Sequence, residues 1–189
     1  MRNIRVVVKK NEHKVLPFVW INGDEQEVLV ETILIGEGAS LTLVGIFLGK
    51  NHASLVFNTR VVHKAPRTKS LTTIRGVFFD HASFNNDGMV TIQKGSKGAD
   101  GYFASKVLLF DNAKGRSVPA LEIDENDLKA GHAASIGRPD EDQLFYLRSR
   151  GLSENEAEKL IVSGFFEPTL AMLAKTDQEG IRKQLLSAL

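Results

Sequence analysis

The 189-residue sequence predicts a mainly β protein that ends in a small α-helical segment. Residues 1–139 contain short runs of β-branched and aromatic residues, such as FVWI and LTLVGIFL, each about as long as a strand. Clusters rich in Gly, Asn, Asp and Ser, such as GEGAS and KGSKGADG, separate these runs and are typical of turns. From residue 140 onward, apolar residues instead recur every three or four positions. We therefore divide the chain into a β part, 1–139, and a helical part, 140–189.

The turn clusters of the β part recur with a rough rhythm. Alanines in or beside them occur at positions 39, 53, 65, 82 and 99. A loose repeat of this kind suits a β-solenoid, in which small residues occupy the tight corners of successive coils. A β-sandwich or jelly roll would also give short, regularly spaced strands. The pattern alone leaves both architectures open.

Three helices are predicted in the helical part. The first covers Gln143–Arg150, and Gly151 is suited to the position after its last turn. Ser153 and Glu156 have the spacing of a capping box, which predicts the start of the second helix. The apolar spacing places one face of that helix at Ala157, Leu160, Ile161, Gly164 and Phe165. The third helix is predicted from Asp177 by apolar residues four apart, namely Ile181, Leu185 and Leu189.

Charge and composition exclude several classes of function. Lys and Arg number 24 against 23 Asp and Glu, so no overall field favours binding to nucleic acid or to an anionic membrane. Cysteine is absent, which excludes disulfides, thiol catalysis and a cysteine-ligated iron–sulfur cluster held by this chain alone. No signal peptide or membrane-spanning run is visible, so we expect a cytoplasmic protein.

Histidines are the remaining candidates for metal chemistry. None of the five has the HxH, HxxxH or HExxH spacing of common metal sites. His52, His81 and His132 precede small residues in similar contexts, so repeated corners could align them as a ladder and a metal site. The alternative is that they and His63 satisfy local backbone groups at turns. A metal-dependent β protein thus stays open as one interpretation.

No catalytic or nucleotide-binding motif accompanies these histidines. The glycine-rich stretches do not match a phosphate-binding loop or a dinucleotide-binding turn, and no GxSxG nucleophile motif is present. The residues by themselves therefore predict no enzyme.

One long segment of the chain resembles a known family. Residues 121–166, LEIDENDLKAGHAASIGRPDEDQLFYLRSRGLSENEAEKLIVSGFF, are similar to the C-terminal signature of the SufB/SufD scaffold proteins of the SUF iron–sulfur assembly system. Upstream, the pattern His63-x-x-Pro66-x-Thr68-x-Ser70 fits the weaker β-region pattern of that family, so the resemblance covers about residues 30–175. Typical family members are much longer than this chain.

The resemblance implies a right-handed parallel β-helix, or solenoid, with a small α-helical C-terminal segment. It implies that residues 1–139 form the β-helix core. Because the terminal coils of a solenoid need covering, residues 1–30 could supply cap strands at the N-terminal end, or a partner could cover it. It also implies that the C-terminal helices bind a SufC-like ABC ATPase. The residues that match this surface are Leu144, Phe145, Tyr146, Arg148, Arg150 and Phe165. The alternative for their apolar members, and for Leu147 and Leu160, is that they pack the tail onto the end of the solenoid.

The subfamily follows from the segment KAGHAASIG. His132 matches the family histidine at the subunit interface, Ala133 replaces the acidic neighbour of SufB and Ala130 replaces the cysteine of SufD. LRSRG also favours a SufD-like member. The resemblance therefore implies a homodimer or a SufB-like heterodimer joined near residues 121–136. It implies no tightly bound cofactor in the isolated chain, a cluster held transiently in the complex, and a cluster or metal contact at His132, whose neutral imidazole can ligate iron. A purely structural assembly subunit is the further alternative.

Overall fold

The computed structural model describes all 189 residues, and its β part is a parallel β-solenoid. The strands are β1 (Arg2–Val8), β2 (His13–Ile21), β3 (Gln26–Leu34), β4 (Ser40–Gly49), β5 (Ser54–His63), β6 (Lys69–Phe78), β7 (Ser83–Ile92), β8 (Ala99–Leu109), β9 (Lys114–Ile123) and β10 (Leu128–Gly137). They form two sheets, with the orders β1-β3-β5-β7-β9 (sheet A) and β10-β8-β6-β4-β2 (sheet B). Every neighbouring pair is parallel. Because successive strands alternate between the sheets, the chain winds through five coils, which confirms the solenoid over the antiparallel sandwich.

One coil in the middle of the solenoid is 29 residues long. Ser40 of β4 lies beside Lys69 of β6, and Leu55 of β5 lies beside Phe84 of β7. The alanines that suggested the rhythm lie at or beside five successive corners. Four of them, Ala39, Ala65, Ala82 and Ala99, are buried, as tight corners require.

Aromatic side chains fill the space between the two sheets. Alternate residues of each strand face this interior, and we call these positions the inner rows. They include five almost fully buried phenylalanines, namely Phe47, Phe57, Phe78, Phe84 and Phe103. The ring centroids of Phe47 and Phe57 are 4.8 Å apart, and those of Phe78 and Phe84 are 5.2 Å apart. Burying one such side chain contributes about 2 kcal/mol, so this column is a main source of stability.

The corners that follow the sheet B strands share a left-handed residue. Asn22, Asn51, Asp80 and Asp111 have φ values of 47° to 58°, a region that Asn and Asp tolerate better than most residues. The Asp80 carboxylate accepts a hydrogen bond from the Asn51 N–H at 2.7 Å, and the Asp111 carboxylate accepts one from the Asp80 N–H at 3.0 Å. The side chains of Asp80 and Asp111 thus each tie their corner to the coil before.

The first coil is formed by β1 and β2, the strands that could have served as a cap. They pair in parallel with β3 and β4. Two inner-row positions of this coil carry basic residues, Arg2 beside Val28 and Lys14 beside Leu41. The Lys14 ammonium donates to the Val7 carbonyl at 2.8 Å and lies 3.3 Å from the Glu12 carboxylate.

Three helices follow the last strand, namely α1 (Glu141–Ser149), α2 (Glu154–Leu170) and α3 (Lys175–Ala188). Helix α1 begins at Glu141, two residues before the predicted start at Gln143, whereas the predicted end of α1 and the predicted start of α2 are confirmed. Gly151 has a φ of 98° just beyond α1, and the Ser153–Glu156 capping box opens α2. The third helix begins at Lys175, two residues before the predicted start at Asp177.

Helices α2 and α3 lie along the outer face of sheet B. Val162, Phe166 and Leu170 of α2 belong to the same buried cluster as Val44 and Ile46 of β4. The alternative in which the tail packs onto the end of the solenoid is therefore wrong, because α2 covers the apolar outer face of β4 and β6 instead. None of the helices is both long and apolar enough to cross a bilayer.

Candidate functional site

The solenoid is open at the end formed by β9 and β10. Strand β9 has only β7 beside it, and β10 only β8, so no further coil covers the inner rows of the last coil. We call these inner-row residues the C-terminal mouth, and none of them is an acidic residue, a lysine or an arginine. They are Gly115, Ser117, Pro119, Leu121 and Ile123 of β9, and Leu128, Ala130, His132, Ala134 and Ile136 of β10.

His132, the predicted interface residue, lies in the middle of this mouth. Its register partner is Phe103 of β8, which in turn lies beside Thr72 of β6 and then Leu43 of β4. Those three residues are almost fully buried, whereas His132 is exposed. The imidazole therefore occupies a row that is core in the three preceding coils, at a place where a partner can reach it.

The predicted ATPase-binding residues of α1 are mostly exposed. Helix α1 has no buried residue, and the exposed fractions of Phe145 and Tyr146 are 73% and 56%. Arg148 and Arg150 are exposed, and the Arg150 guanidinium lies 5.3 Å from the centre of the Tyr146 ring. Among these residues of α1 only Leu144 is half-buried. Helix α1 therefore presents aromatic and basic side chains to solvent.

Between α1 and α2 runs an open groove of about 800 Å³, which we call the helix groove. Its apolar lining comes from Leu108 of β8, Tyr146 and Leu147 of α1, and Leu160, Ile161 and Phe165 of α2. Four of the five residues on the predicted apolar face of α2, namely Leu160, Ile161, Gly164 and Phe165, line the groove. The fifth, Ala157, is buried, as are Val162, Phe166, Thr169 and Leu170 outside that face. The spacing did not reveal this second apolar side, through which α2 packs against sheet B.

Phe165, the last predicted binding residue, contacts the solenoid through Arg75 of β6. The Arg75 guanidinium carbon lies 4.9 Å from the centre of the Phe165 ring, and the guanidinium donates to the main-chain carbonyl of Phe165. Burial lowers the pKa of Arg75. The predicted residues therefore lie in two places, with His132 at the mouth and the other six on or beside the groove.

The histidine ladder exists in part. The rings of His52 and His81 are parallel to within 7°, with centroids 5.3 Å apart, because these residues lie one 29-residue coil apart. His132 lies within β10 of sheet B instead of at this corner. No group of three or more His, Asp or Glu side chains is arranged to hold a metal ion. The structure therefore contradicts a metal site made of His52, His81 and His132.

His63 is a buried residue that the turn-based interpretation missed. Its Nδ1 lies 2.8 Å from the Thr68 hydroxyl and its Nε2 lies 2.8 Å from the Ser70 hydroxyl, while its carbonyl accepts from the Ser96 hydroxyl at 2.9 Å. Burial lowers the pKa of His63 to about 4, and the Asp100 carboxylate opposes part of that shift. The only signal in the sequence was the spacing of His63, Thr68 and Ser70, which carries part of the family resemblance.

The fold and these surfaces define a class of protein, a short parallel β-solenoid with an open last coil and an exposed helical flank. The chain matches the family model for the SUF system FeS cluster assembly, SufBD core domain, over residues 2–165. It therefore belongs to the SufBD core family.

Curated relatives agree with this assignment. The chain is 36% identical over 159 residues to the iron–sulfur cluster assembly protein SufD of Bacillus subtilis, which covers 84% of this chain and 36% of that protein. It is 33% identical over 180 residues to an iron–sulfur cluster assembly SufBD family protein of Mycobacterium tuberculosis, covering 90% and 45% of the two chains. A SufBD family protein of Staphylococcus epidermidis is 32% identical over 155 residues, covering 79% and 33%. The chain thus spans between a third and just under a half of the length of these relatives.

Proposed function

We propose that this protein is a non-catalytic, SufD-like subunit of an iron–sulfur assembly complex that binds a SufC-like ABC ATPase through α1 and the helix groove. The observation that carries the proposal is the 73% exposure of Phe145 on a helix with no buried residue. A large aromatic side chain left in water has an unfavourable hydration free energy that a partner surface would remove.

The chemistry of α1 supports a protein partner. Aromatic residues and arginine are the side chains most enriched where binding energy concentrates in protein interfaces, and Phe145, Tyr146, Arg148 and Arg150 supply both kinds on adjacent turns. The helix groove beside them offers an apolar depression for an anchoring side chain of the partner. ATP hydrolysis belongs to the partner in this proposal, since this chain has no phosphate-binding loop.

Phe145→Ala is expected to weaken ATPase binding by at least tenfold, because truncating a central aromatic anchor costs about 2 kcal/mol. The melting temperature should stay unchanged, because Phe145 makes little contact within this chain. The measurement is the affinity of the purified chain for a separately purified SufC-like ATPase, by calorimetry or biolayer interferometry. Leu186→Ala is the matched control, since Leu186 is a 50% exposed apolar residue on α3. Equal affinities for the two variants would contradict the proposed surface.

We further propose that the C-terminal mouth joins this chain to a second copy or to a SufB-like subunit. The support is chemical, because the mouth combines unpaired strand edges with apolar inner-row residues such as Leu121, Leu128 and Ile136. Exposed parallel edges with an apolar neighbour readily pair with another chain.

The iron–sulfur cluster is cargo in this proposal, and His132 offers it one imidazole nitrogen. One histidine cannot hold a cluster, so the remaining ligands would come from the partner.

Two substitutions at the mouth are expected to separate assembly from cargo binding. Ala134→Asp places a carboxylate in an apolar contact and should split the dimer, as read by light scattering after size-exclusion chromatography. His132→Ala should leave the dimer intact and lower the visible absorbance of cluster loaded on the complex. Ser187→Asp is the control for added charge at an exposed position far along the chain. Dimerisation of Ala134→Asp at wild-type strength would exclude the mouth as the interface.

A further inference from the structure

Arg75 is an unusual residue in the contact between the solenoid and α2. It lies in the middle of β6, half-buried on the outer face that α2 covers, and no carboxylate lies within ion-pair distance of it. A guanidinium removed from water without a counter-charge is costly unless its hydrogen bonds and its flat faces find other partners. Both partners are supplied by a single residue, Phe165.

Phe165 receives the guanidinium at two points. Its main-chain carbonyl accepts a hydrogen bond from Nη1, and its ring lies under the guanidinium with 4.9 Å between the ring centre and the guanidinium carbon. A charged donor to a carbonyl and a cation over an aromatic ring are both stronger away from bulk water. Together these two contacts fix the position and the orientation of Phe165.

The backbone of α2 needs such support at this point. Pro168 lies inside the helix and has no N–H, so the Gly164 carbonyl loses the donor it would have four residues later. The proline ring also crowds that turn. Arg75 donates to the next carbonyl along, that of Phe165, and so holds the weakened turn against sheet B.

Phe165 also belongs to the helix groove. It lines the groove together with Leu160, Ile161 and Tyr146. A shift of the Phe165 ring or of its turn would therefore change the shape of the groove.

We propose that Arg75 is a positioning residue, which clamps the proline-weakened turn of α2 and holds Phe165 as a wall of the helix groove for the ATPase partner. The inference about partner binding rests on the function proposed above. The clamp itself is a property of the isolated chain. The two parts can therefore be tested separately.

The first measurement is hydrogen–deuterium exchange of the isolated chain. Arg75→Met keeps much of the side-chain length and loses the donor and the charge. We expect exchange in the peptide that covers residues 162–171 to rise about tenfold in this variant. Arg75→Lys keeps one donor and the charge, and we expect it to recover part of the protection. Unchanged exchange in Arg75→Met would overturn the proposal, whether or not the protein binds an ATPase.

The second measurement is affinity for the SufC-like ATPase. Arg75→Met is expected to bind about tenfold more weakly than the wild type, and Arg75→Lys to lie between the two. Val162→Ala is the matched control, because Val162 is a fully buried residue of the same helix that does not line the groove. It should lower the melting temperature yet bind within twofold of the wild type. Equal loss of affinity in Val162→Ala and Arg75→Met, at equal loss of melting temperature, would reduce Arg75 to a general structural role. If the wild type binds no ATPase, the proposed function fails and the exchange experiment alone decides the clamp.

Discussion

Lowering the pH from 7 to 4 is expected to destabilise the fold by about 3 kcal/mol through His63 alone. The pKa of His63 is about 4 in the folded protein and 6.5 in the unfolded chain. Between these values the unfolded chain binds a proton that the buried imidazole does not, so the free energy of unfolding falls as the pH falls. Above pH 6.5 the contribution is fully present. The measurement is the free energy of unfolding in urea at several pH values across this window.

Two variants separate His63 from the other titrating groups. His63→Leu should be less stable at pH 7, because the Thr68 and Ser70 hydroxyls lose a buried partner. Its stability should nevertheless depend less on pH between 4 and 6.5. Val61→Ala removes buried apolar volume from the same strand without changing a titrating group, so it should lower the stability and keep the wild-type dependence. A His63→Leu curve parallel to that of the wild type would mean that the imidazole binds a proton as readily in the folded protein as in the unfolded chain.

Gly36→Ala is expected to cost about 3 kcal/mol or more in the free energy of unfolding, through overpacking at a coil-to-coil contact. A Cβ atom on Gly36 would lie 2.0 Å from the main-chain nitrogen of Lys10 and 2.6 Å from the carbonyl carbon of Lys9. These are backbone atoms of the corner in the coil before, so no side-chain rotation can relieve the clash. The two corners would have to separate, which strains the nearby hydrogen bonds from Ile35 to Val8 and from Asn11 to Glu37.

The control for this substitution is Gly180→Ala in α3. Nothing lies within 4 Å of a Cβ atom built there, and alanine is favoured over glycine in a helix by about 1 kcal/mol. The urea midpoint should therefore fall for Gly36→Ala and rise slightly for Gly180→Ala. A midpoint for Gly36→Ala near that of the wild type would show that the corner relaxes easily.

Local features of the fold were predictable from the sequence. Strand-length apolar runs, turn clusters and the Ser153–Glu156 capping box depend on residues close together in the chain, and each is found in the structure. The choice between solenoid and sandwich depends on which strands pair across 29 residues, and the pattern alone left it open. The family resemblance decided it. Which apolar side of α2 packs against sheet B was not predictable, because Leu160 and Phe165 are as apolar as Val162 and Phe166.

The candidate site was predictable only as a set of residues. Phe145 is exposed because of where the helices lie, and His132 is exposed in an inner row because β10 belongs to the last coil. Neither feature is encoded by residues close together in the chain. The stack of His52 and His81 follows from their 29-residue separation, whereas His132 lies 51 residues beyond His81 and falls out of step. No sequence pattern predicted the contact of Arg75, because its partner Phe165 lies 90 residues further along the chain.

The two ends of the solenoid bear on how many copies can assemble. When a face pairs with the same face of a second copy about a two-fold axis, assembly stops at a dimer. Contact between opposite ends would instead leave a free end on every copy and build a fibre. Arg2 and Lys14 occupy inner-row positions of the first coil, where stacking another coil would strip water from their charges. The mouth at the other end carries no such charge. Contact between a mouth and the first coil of another copy is thus penalised, whereas contact between two mouths carries no such penalty.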